Sequence, residues 1–163
     1  PKELSKFINN YFPFSEPDKI KKVSSLQNFT FEIQLHNHPI LSEVFFPQLK
    51  EFEPGLIQGS FDSQKNELKL NAAMRKIVYG TTEIKDFLLD VNSDANALNY
   101  KISCSKVSNA QIKIDNLLVD GNLSNEKIFA NVSSTDEKQN KTLLIQSHII
   151  KDDAAYKLQL DPK

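Results

Sequence analysis

Tryptophan is absent from the 163 residues, cysteine occurs once and glycine four times. A lone cysteine, Cys104, can neither close an internal disulfide nor build a thiolate metal cluster. It suits a reducing compartment and is compatible with an oxidising one. The glycines Gly55, Gly59, Gly80 and Gly121 fit no phosphate-cradling loop of the Walker or Rossmann type. Charge of one sign is also missing: 20 Lys and Arg stand against 21 Asp and Glu, for a net charge of -1. That leaves no electrostatic footprint for nucleic acid, and the interspersed signs read as a solvated surface. No apolar run approaches the roughly 20 residues that span a bilayer as a helix. The chain opens on Pro1 rather than Met, which reads as an excised fragment or a processed product, with any signal peptide or membrane anchor outside it.

Catalytic and metal motifs are equally scarce. There is no G-x-S-x-G nucleophile elbow. His148 among many Ser and Asp residues carries almost no information. Cys104 continues the alternation of Leu98, Tyr100 and Ile102, which marks a small buried apolar residue rather than a nucleophile. His36 and His38, two apart, would share a strand face. Without an Asp, Glu or Cys at ligand spacing they read as surface histidines before Pro39, and no metal or cofactor is expected. Paired carboxylates for glycoside chemistry cannot be picked out either. The chain is expected to be no enzyme.

What is present is periodicity. Leu4, Phe7, Ile8 and Tyr11 recur at i, i+3, i+4 and i+7, which predicts a helix ended by Pro13. A weak helical or irregular piece is expected around Lys19 to Leu26. Residues 1–27 are thus an N-terminal helix and linker, and 28–163 an amphipathic sheet domain. At Asn28 the period changes to two: Phe29, Phe31, Ile33 and Leu35 point one way, while Thr30, Glu32, Gln34 and His36 point the other. Pro39 breaks this strand. Leu41, Val44, Phe45, Leu49 and Phe52 then fall near helical spacing, a short helical insertion that ends at Pro54-Gly55.

From Leu56 onward the chain reads strand, turn, strand. One face collects Ile57 and Phe61; Leu68, Leu70, Ala72 and Met74; Phe87, Leu89 and Val91; and Leu98, Tyr100, Ile102 and Cys104. It continues with Ile112 and Ile114, then Leu117 and Val119 after a phase slip that suggests a β-bulge near Asp115 and Asn116. Ile128, Ala130 and Val132, then Leu143, Ile145 and Ile149, and finally Tyr156, Leu158 and Leu160 complete it. The opposite face is expected to be polar throughout. Turns rich in Asn, Asp, Ser and Lys separate the runs. Strand spacings of roughly 10 to 16 residues suit hairpins and leave no room for helical crossovers. The fold class is mainly β: a long antiparallel meander with an N-terminal helix and a short helical insertion. Such a sheet can close into a sandwich or barrel, or curl and leave an apolar groove; alternation alone is satisfied by both. The clustered Phe29, Phe31, Phe45, Phe46, Phe52 and Phe61 fit ordinary core packing, and equally a lining for acyl chains, with the insertion as cover or plug.

The cadence has a familiar form. Gly59-Ser60-Phe61 is followed by the alternating strand Leu68 to Met74, then Ile77-Val78-Tyr79, Ile84 to Leu89, a turn with Asp94, and Leu98-Asn99-Tyr100. Together with the Pro-rich segment before Gly59, this resembles the AsmA/TamB superfamily, in its TamB-like translocation and assembly module branch, as a repeat segment of a bacteroidete-type member. The resemblance covers roughly residues 28 to 160 and rests on patterns rather than invariant chemistry. It implies a β-taco, a long curled sheet with a continuous apolar groove. It also implies a periplasmic, envelope-spanning protein that carries phospholipid between inner and outer membranes and supports outer-membrane biogenesis. The implied partners are phospholipid acyl chains and an outer-membrane β-barrel assembly protein. Membrane contact and inner-membrane anchoring would come through other parts of a longer chain. The residues expected to line the groove are Phe29, Phe31, Ile33, Leu35, Phe61, Leu68, Leu70, Met74, Leu89, Val91, Tyr100, Ile102, Ile112, Ile114, Ile128, Val132, Leu143, Ile145, Leu158 and Leu160. The other reading is a closed β-sandwich acting as an interaction or structural module of the envelope.

Overall fold

The computed structural model describes residues 2–12, 14, 26–36, 38–39, 41–94, 96–152 and 155–161. The expected helical piece at 19–26 lies outside them, Leu26 excepted. The described chain forms helix α1 (Lys2–Asn9) and ten strands: β1 (Asn28–Leu35), β2 (Leu49–Phe52), β3 (Gly55–Asp62), β4 (Glu67–Tyr79), β5 (Thr82–Ser93), β6 (Leu98–Ser108), β7 (Lys113–Ser124), β8 (Lys127–Thr135), β9 (Lys141–Asp152) and β10 (Ala155–Leu160). All pairings are antiparallel. The spatial order is β1, then β3 to β10 in sequence, with β2 continuing the edge beside β4. The result is a mainly β, open, curled meander. Among the described residues β1 and β10 do not pair, so the sheet is not a closed barrel, and no second sheet faces it.

The hairpins explain the turn composition. Asp62, Asp94, Asn109 and Asp136 each accept two backbone N–H bonds through one side-chain oxygen, as from Asn96 and Ala97 to Asp94 at 2.7 and 2.9 Å. Asn125 and Glu126 both take positive φ between Ser124 and Lys127, the two-residue turn whose twist matches a hairpin. Backbone N–H donors from Asn96 and Ala97 hold the Asp94 carboxyl below its ordinary value of 3.8. The Asn140 side chain and backbone do the same for Asp136. A depressed folded pKa stabilises in full above the ordinary value, and the contribution is lost as pH falls through the lowered one. Replacing both by Asn should therefore flatten the acid limb of the stability curve, measured as the urea midpoint from neutral to strongly acid pH.

Helix α1 reveals the curl. Phe7 meets Phe61 of β3 edge-on at 5.3 Å, while Phe12 stacks on Tyr156 of β10 at 5.8 Å. On a flat sheet the seven strand spacings from β3 to β10 would cover about 34 Å. The path from Phe7 to Phe12 is mostly helical, with Phe12 N–H on the Ile8 carbonyl, and so advances only about 8 Å, while the ring contacts stand off the sheet and add little along it. The sheet is therefore rolled, and α1 lies in the concave side at one end. Tyr11 donates to the Asp94 carbonyl at 2.8 Å, and Tyr156 to that of Phe14 at 3.1 Å. The resulting cluster of Phe7, Tyr11, Phe12, Phe61, Leu98 and Leu123 is the best-buried part of the molecule.

The phase slip in the sequence has a different cause from the expected bulge. Cys104 pairs with Leu117 and Lys106 with Asp115, so the β6–β7 register runs through without an extra residue. Instead Asn116 takes φ 47°. The same level on β5 holds Asp86 at φ 49°, and the β4–β5 register likewise runs through it. Ser105, between them on β6, donates to Asp86 at 2.6 Å. The apolar positions step by three across this line on each strand: Met74 to Ile77, Ile84 to Phe87, Cys104 to Val107, Ile114 to Leu117. Several adjacent strands change phase together, forming a crease that keeps every register intact. Register shifts do occur elsewhere, in β2–β4 between Leu49 and Glu51 and in β8–β9 between Ser134 and Thr135.

Candidate apolar groove

Register converts the alternation into rows that cross the sheet. Phe29, Phe61 and Leu68 lead, past Ser93, to Leu98, Leu123, Ile128, Ile149 and Leu158. The next row holds Phe31, Gly59, Leu70, Val91, Tyr100, Gly121, Ala130, Ser147 and Leu160. Ile33, Ile57, Ala72, Leu89, Ile102, Val119, Val132 and Ile145 follow. Met74 pairs with Phe87, Cys104 with Leu117, and Ser134 with Leu143; Leu35 and Gly55 stand at the same level. Beyond the crease Phe52, Ile77, Ile84, Val107 and Ile114 make a final row.

Nineteen of the twenty sequence-chosen residues thus fall on one apolar face. Ile112 does not: β7 begins at Lys113, and Ile112 sits in the β6–β7 turn, 51% exposed. Its N–H is held by Asn109 Oδ1, so turn geometry overrides the alternation there.

The face is covered unevenly. Its α1 end is shut by the aromatic cluster. In the next-but-one row Ala72 is buried, while Ile33 and Ile145 at its two ends, on the sheet edges, remain 46% and 41% exposed. Two glycines let aromatics lie across the floor. The Phe31 ring occupies the space over Gly59, where an added Cβ would come within 2.5 Å of it. Tyr100 crosses Gly121 to donate to the Phe129 carbonyl at 2.8 Å. Burial pushes the Tyr100 hydroxyl pKa up, and the Cys104 thiol likewise.

At the far end the expected short helical insertion is present over its first half only. Leu41–Phe45 is one π-helical turn, closed by Phe46 N–H to the Leu41 carbonyl at 2.7 Å, and Leu49–Phe52 is strand β2. Helical spacing was coincidental here, because Leu49 and Phe52 straddle the register shift in β2–β4. This flap and the sheet border an open apolar recess of about 400 Å³ lined by Leu35, Leu41, Phe46, Leu49, Phe52, Ile57, Met74, Ile77 and Tyr79. That volume is in the range of small-molecule pockets, and only Tyr79 brings a polar side-chain atom. Phe46 belongs to the Phe cluster weighed above as an acyl-chain lining, Leu41 and Leu49 belong to the insertion weighed as its cover, and Ile77 and Tyr79 extend the Leu68 to Met74 alternation; none of the five is among the twenty groove residues expected.

The opposite face also differs from expectation. It carries the transverse row Leu56, Ala73, Leu88, Ser103, Leu118, Ser133 and Leu144, with Leu88 52% exposed. Large and small residues alternate from strand to strand. A period-two reading along each chain cannot see order across chains. An open hollow over Ala73 is rimmed by Gln58, Asn71, Asp90 and Lys101, and is too polar to match the recess under the flap.

Among the described residues no group of three His, Cys, Asp or Glu could hold a metal ion. His36 and His38 both lie past the end of β1 and so do not share a strand face. No described helix is long and apolar enough to cross a membrane. Comparison with known proteins finds no match: no family model, no curated protein and no solved structure is similar to this chain.

Proposed function

We propose that this chain binds phospholipid acyl chains along its concave apolar face while headgroups stay in water, as a segment of a longer, TamB-like, envelope-spanning lipid carrier of the periplasm. One observation carries the reading: an open sheet presents a run of apolar rows that ends in an all but wholly apolar recess. Ile33 and Ile145, the two ends of their row at the sheet edges, stay half exposed, and space remains beneath the flap. Burial of each methylene contributes about 0.8 kcal/mol, so eight methylenes contribute roughly 6 kcal/mol. The floor hydroxyls of Tyr100, Ser134 and Ser147 are engaged in hydrogen bonds within the protein, so none fixes a position along the chain, which suits sliding over tight capture. The plug at the α1 end directs loading to the flap end and the open edges. Inner-membrane anchoring, and contact with an outer-membrane β-barrel assembly protein, would belong to other parts of the longer chain.

The test is photocrosslinking with a benzophenone amino acid at Ile102 or Ile77, and at Lys101 on the opposite face as control. After incubation with phospholipid, adducts resolved by intact mass should form at the first two positions and be at least about tenfold weaker at Lys101, in keeping with the loss of several buried methylenes. Equal labelling at all three positions, or none, would leave a structural module without lipid transfer as the better reading.

A further inference from the structure

Large exposed apolar side chains are spread over the molecule: Val44, Phe45 and Phe46 on the flap, Phe14 and Leu26 before β1, and Tyr156, Leu158 and Leu160 on β10. What sets β10 apart is its backbone. All six of its residues are exposed, and among the described residues it pairs only with β9. Asp161 N–H donates to the Gln146 carbonyl at 2.8 Å, in register with the β9–β10 pairs. Backbone groups alternate sides along an antiparallel strand. Lys157 and Gln159 therefore bond to β9, while the N–H and C=O of Tyr156, Leu158 and Leu160 point to the open edge. The devices that usually blunt an edge are lacking. β10 has no proline and no bulge, and its one charge, Lys157, stands on the convex side, ion-paired with Asp152.

We infer that β10 pairs antiparallel with β10 of a second copy of this chain, around a twofold axis through Leu158. The near-palindrome Tyr156-Lys157-Leu158-Gln159-Leu160 selects its own copy as the occupant. In that register Leu158 faces Leu158 of the copy, Tyr156 faces Leu160, and Lys157 faces Gln159. Every outward N–H and C=O of both strands is then bonded, an aromatic meets an aliphatic side chain across the strands, and no like charges stand opposite. An axis through Lys157 would set two lysines face to face. One through Gln159 would leave Tyr156 beyond the end of its partner strand. The other edge of the sheet lacks this match. Ser63 N–H donates to the Gln27 carbonyl, so the outward groups of β1 are those of Thr30, Glu32 and Gln34. The equivalent axis there sets Glu32 against Glu32 of the copy. Antiparallel pairing of β10 with β1 would oppose concave to convex residues and turn one apolar face over. In the β10 pair both concave faces open to the same side. The pairing does not rest on the lipid-binding reading above.

Charge placed at the axis gives the test. Sedimentation of the 163-residue chain should show monomer giving way to dimer as concentration rises, since an interface of one strand pair is small. Amide exchange read by NMR should slow with concentration at Tyr156, Leu158 and Leu160, and stay unchanged at Thr30, Glu32 and Gln34. Leu158→Lys and Leu158→Glu should keep the circular dichroism of the parent, and each should dimerise about tenfold more weakly because like charges meet at the axis. Mixed in equal amounts they should recover association, seen as a heterodimer by native mass spectrometry. Leu158→Pro removes only an outward N–H, so it should fold yet also lose about tenfold or more. A chain that stays monomeric at every concentration would overturn the proposal. So would exchange at Tyr156, Leu158 and Leu160 that is already slow when dilute, protection gained on β1 instead, or charge variants that do not recover on mixing. Lipid crosslinks at Ile102 without a dimer would remove the pairing and leave the groove. A dimer without crosslinks would remove the groove and leave the pairing.

Discussion

Phe61→Ala should destabilise the fold by about 3–5 kcal/mol, the usual cost of emptying a buried phenylalanine site. Phe61 is only 1% exposed. Its ring meets Phe7 of α1 edge-on and packs against Phe29 of β1 at 5.7 Å. It is therefore the point where the helix, the edge strand and the second strand of the sheet are held together. A cavity left there is bounded by backbone on the sheet side, so only α1 can move to fill it. Against a typical total stability of about 5–15 kcal/mol, the loss is a large share. Urea denaturation should show it as a lowered midpoint. Because α1 plugs one end of the concave face, its loosening should also raise acyl-chain labelling at the Phe29 level. A loss below about 1 kcal/mol, the scale of an exposed site, would mean that α1 does not dock as described.

The second large effect is expected from Gly121→Ala, a change of one methyl group. The new Cβ would stand 1.9 Å from the Phe129 carbonyl oxygen and 2.8 Å from the Tyr100 hydroxyl. The first neighbour is backbone within the β7–β8 ladder, so relief requires the strands to part. Overpacking typically costs about 1–3 kcal/mol, and loss of the Tyr100 hydrogen bond adds about 0.5–1.5 kcal/mol. The combined loss should be roughly 2–4 kcal/mol. Tyr100→Phe alone removes only the hydrogen bond and should cost about 1 kcal/mol. Combining the two should not rescue Gly121→Ala, because the collision with Phe129 remains. Denaturant midpoints of the three variants decide the matter. Rescue by Tyr100→Phe would place the strain on the tyrosine instead of the backbone.

Much of this architecture was legible residue by residue. Phe29 to Leu35 and Leu98 to Cys104 alternate so regularly that strand, facing and hairpin pairing followed from side-chain period alone, and Leu4, Phe7, Ile8 and Tyr11 marked the buried stripe of α1 just as clearly. The failures are local and share a cause. Ile112 alternates with Ile114 but is taken by the Asn109 turn. Leu49 and Phe52 sit at helical spacing but pair with Tyr79 and Ile77 in a shifted register. The slip at Asp115 and Asn116 suggested an inserted residue, whereas left-handed backbone at Asp86 and Asn116 flips adjacent strands together. In each case the deciding partner lies on another strand.

The sequence by itself thus determined that there is one amphipathic meander and, Ile112 apart, which of the chosen residues share its apolar face. Only the tertiary structure decided what that face is for geometrically. Whether the sheet closes depends on how far twist and curl bring β3 toward β10, and α1 bridging Phe61 and Tyr156 settles that as a rolled but unclosed sheet. The plug, the creased rows, the leucine row on the convex side and the recess under the flap all arise from contacts between residues distant in the chain. Period-two alternation describes one strand at a time, whereas a groove is a property of many strands held in register.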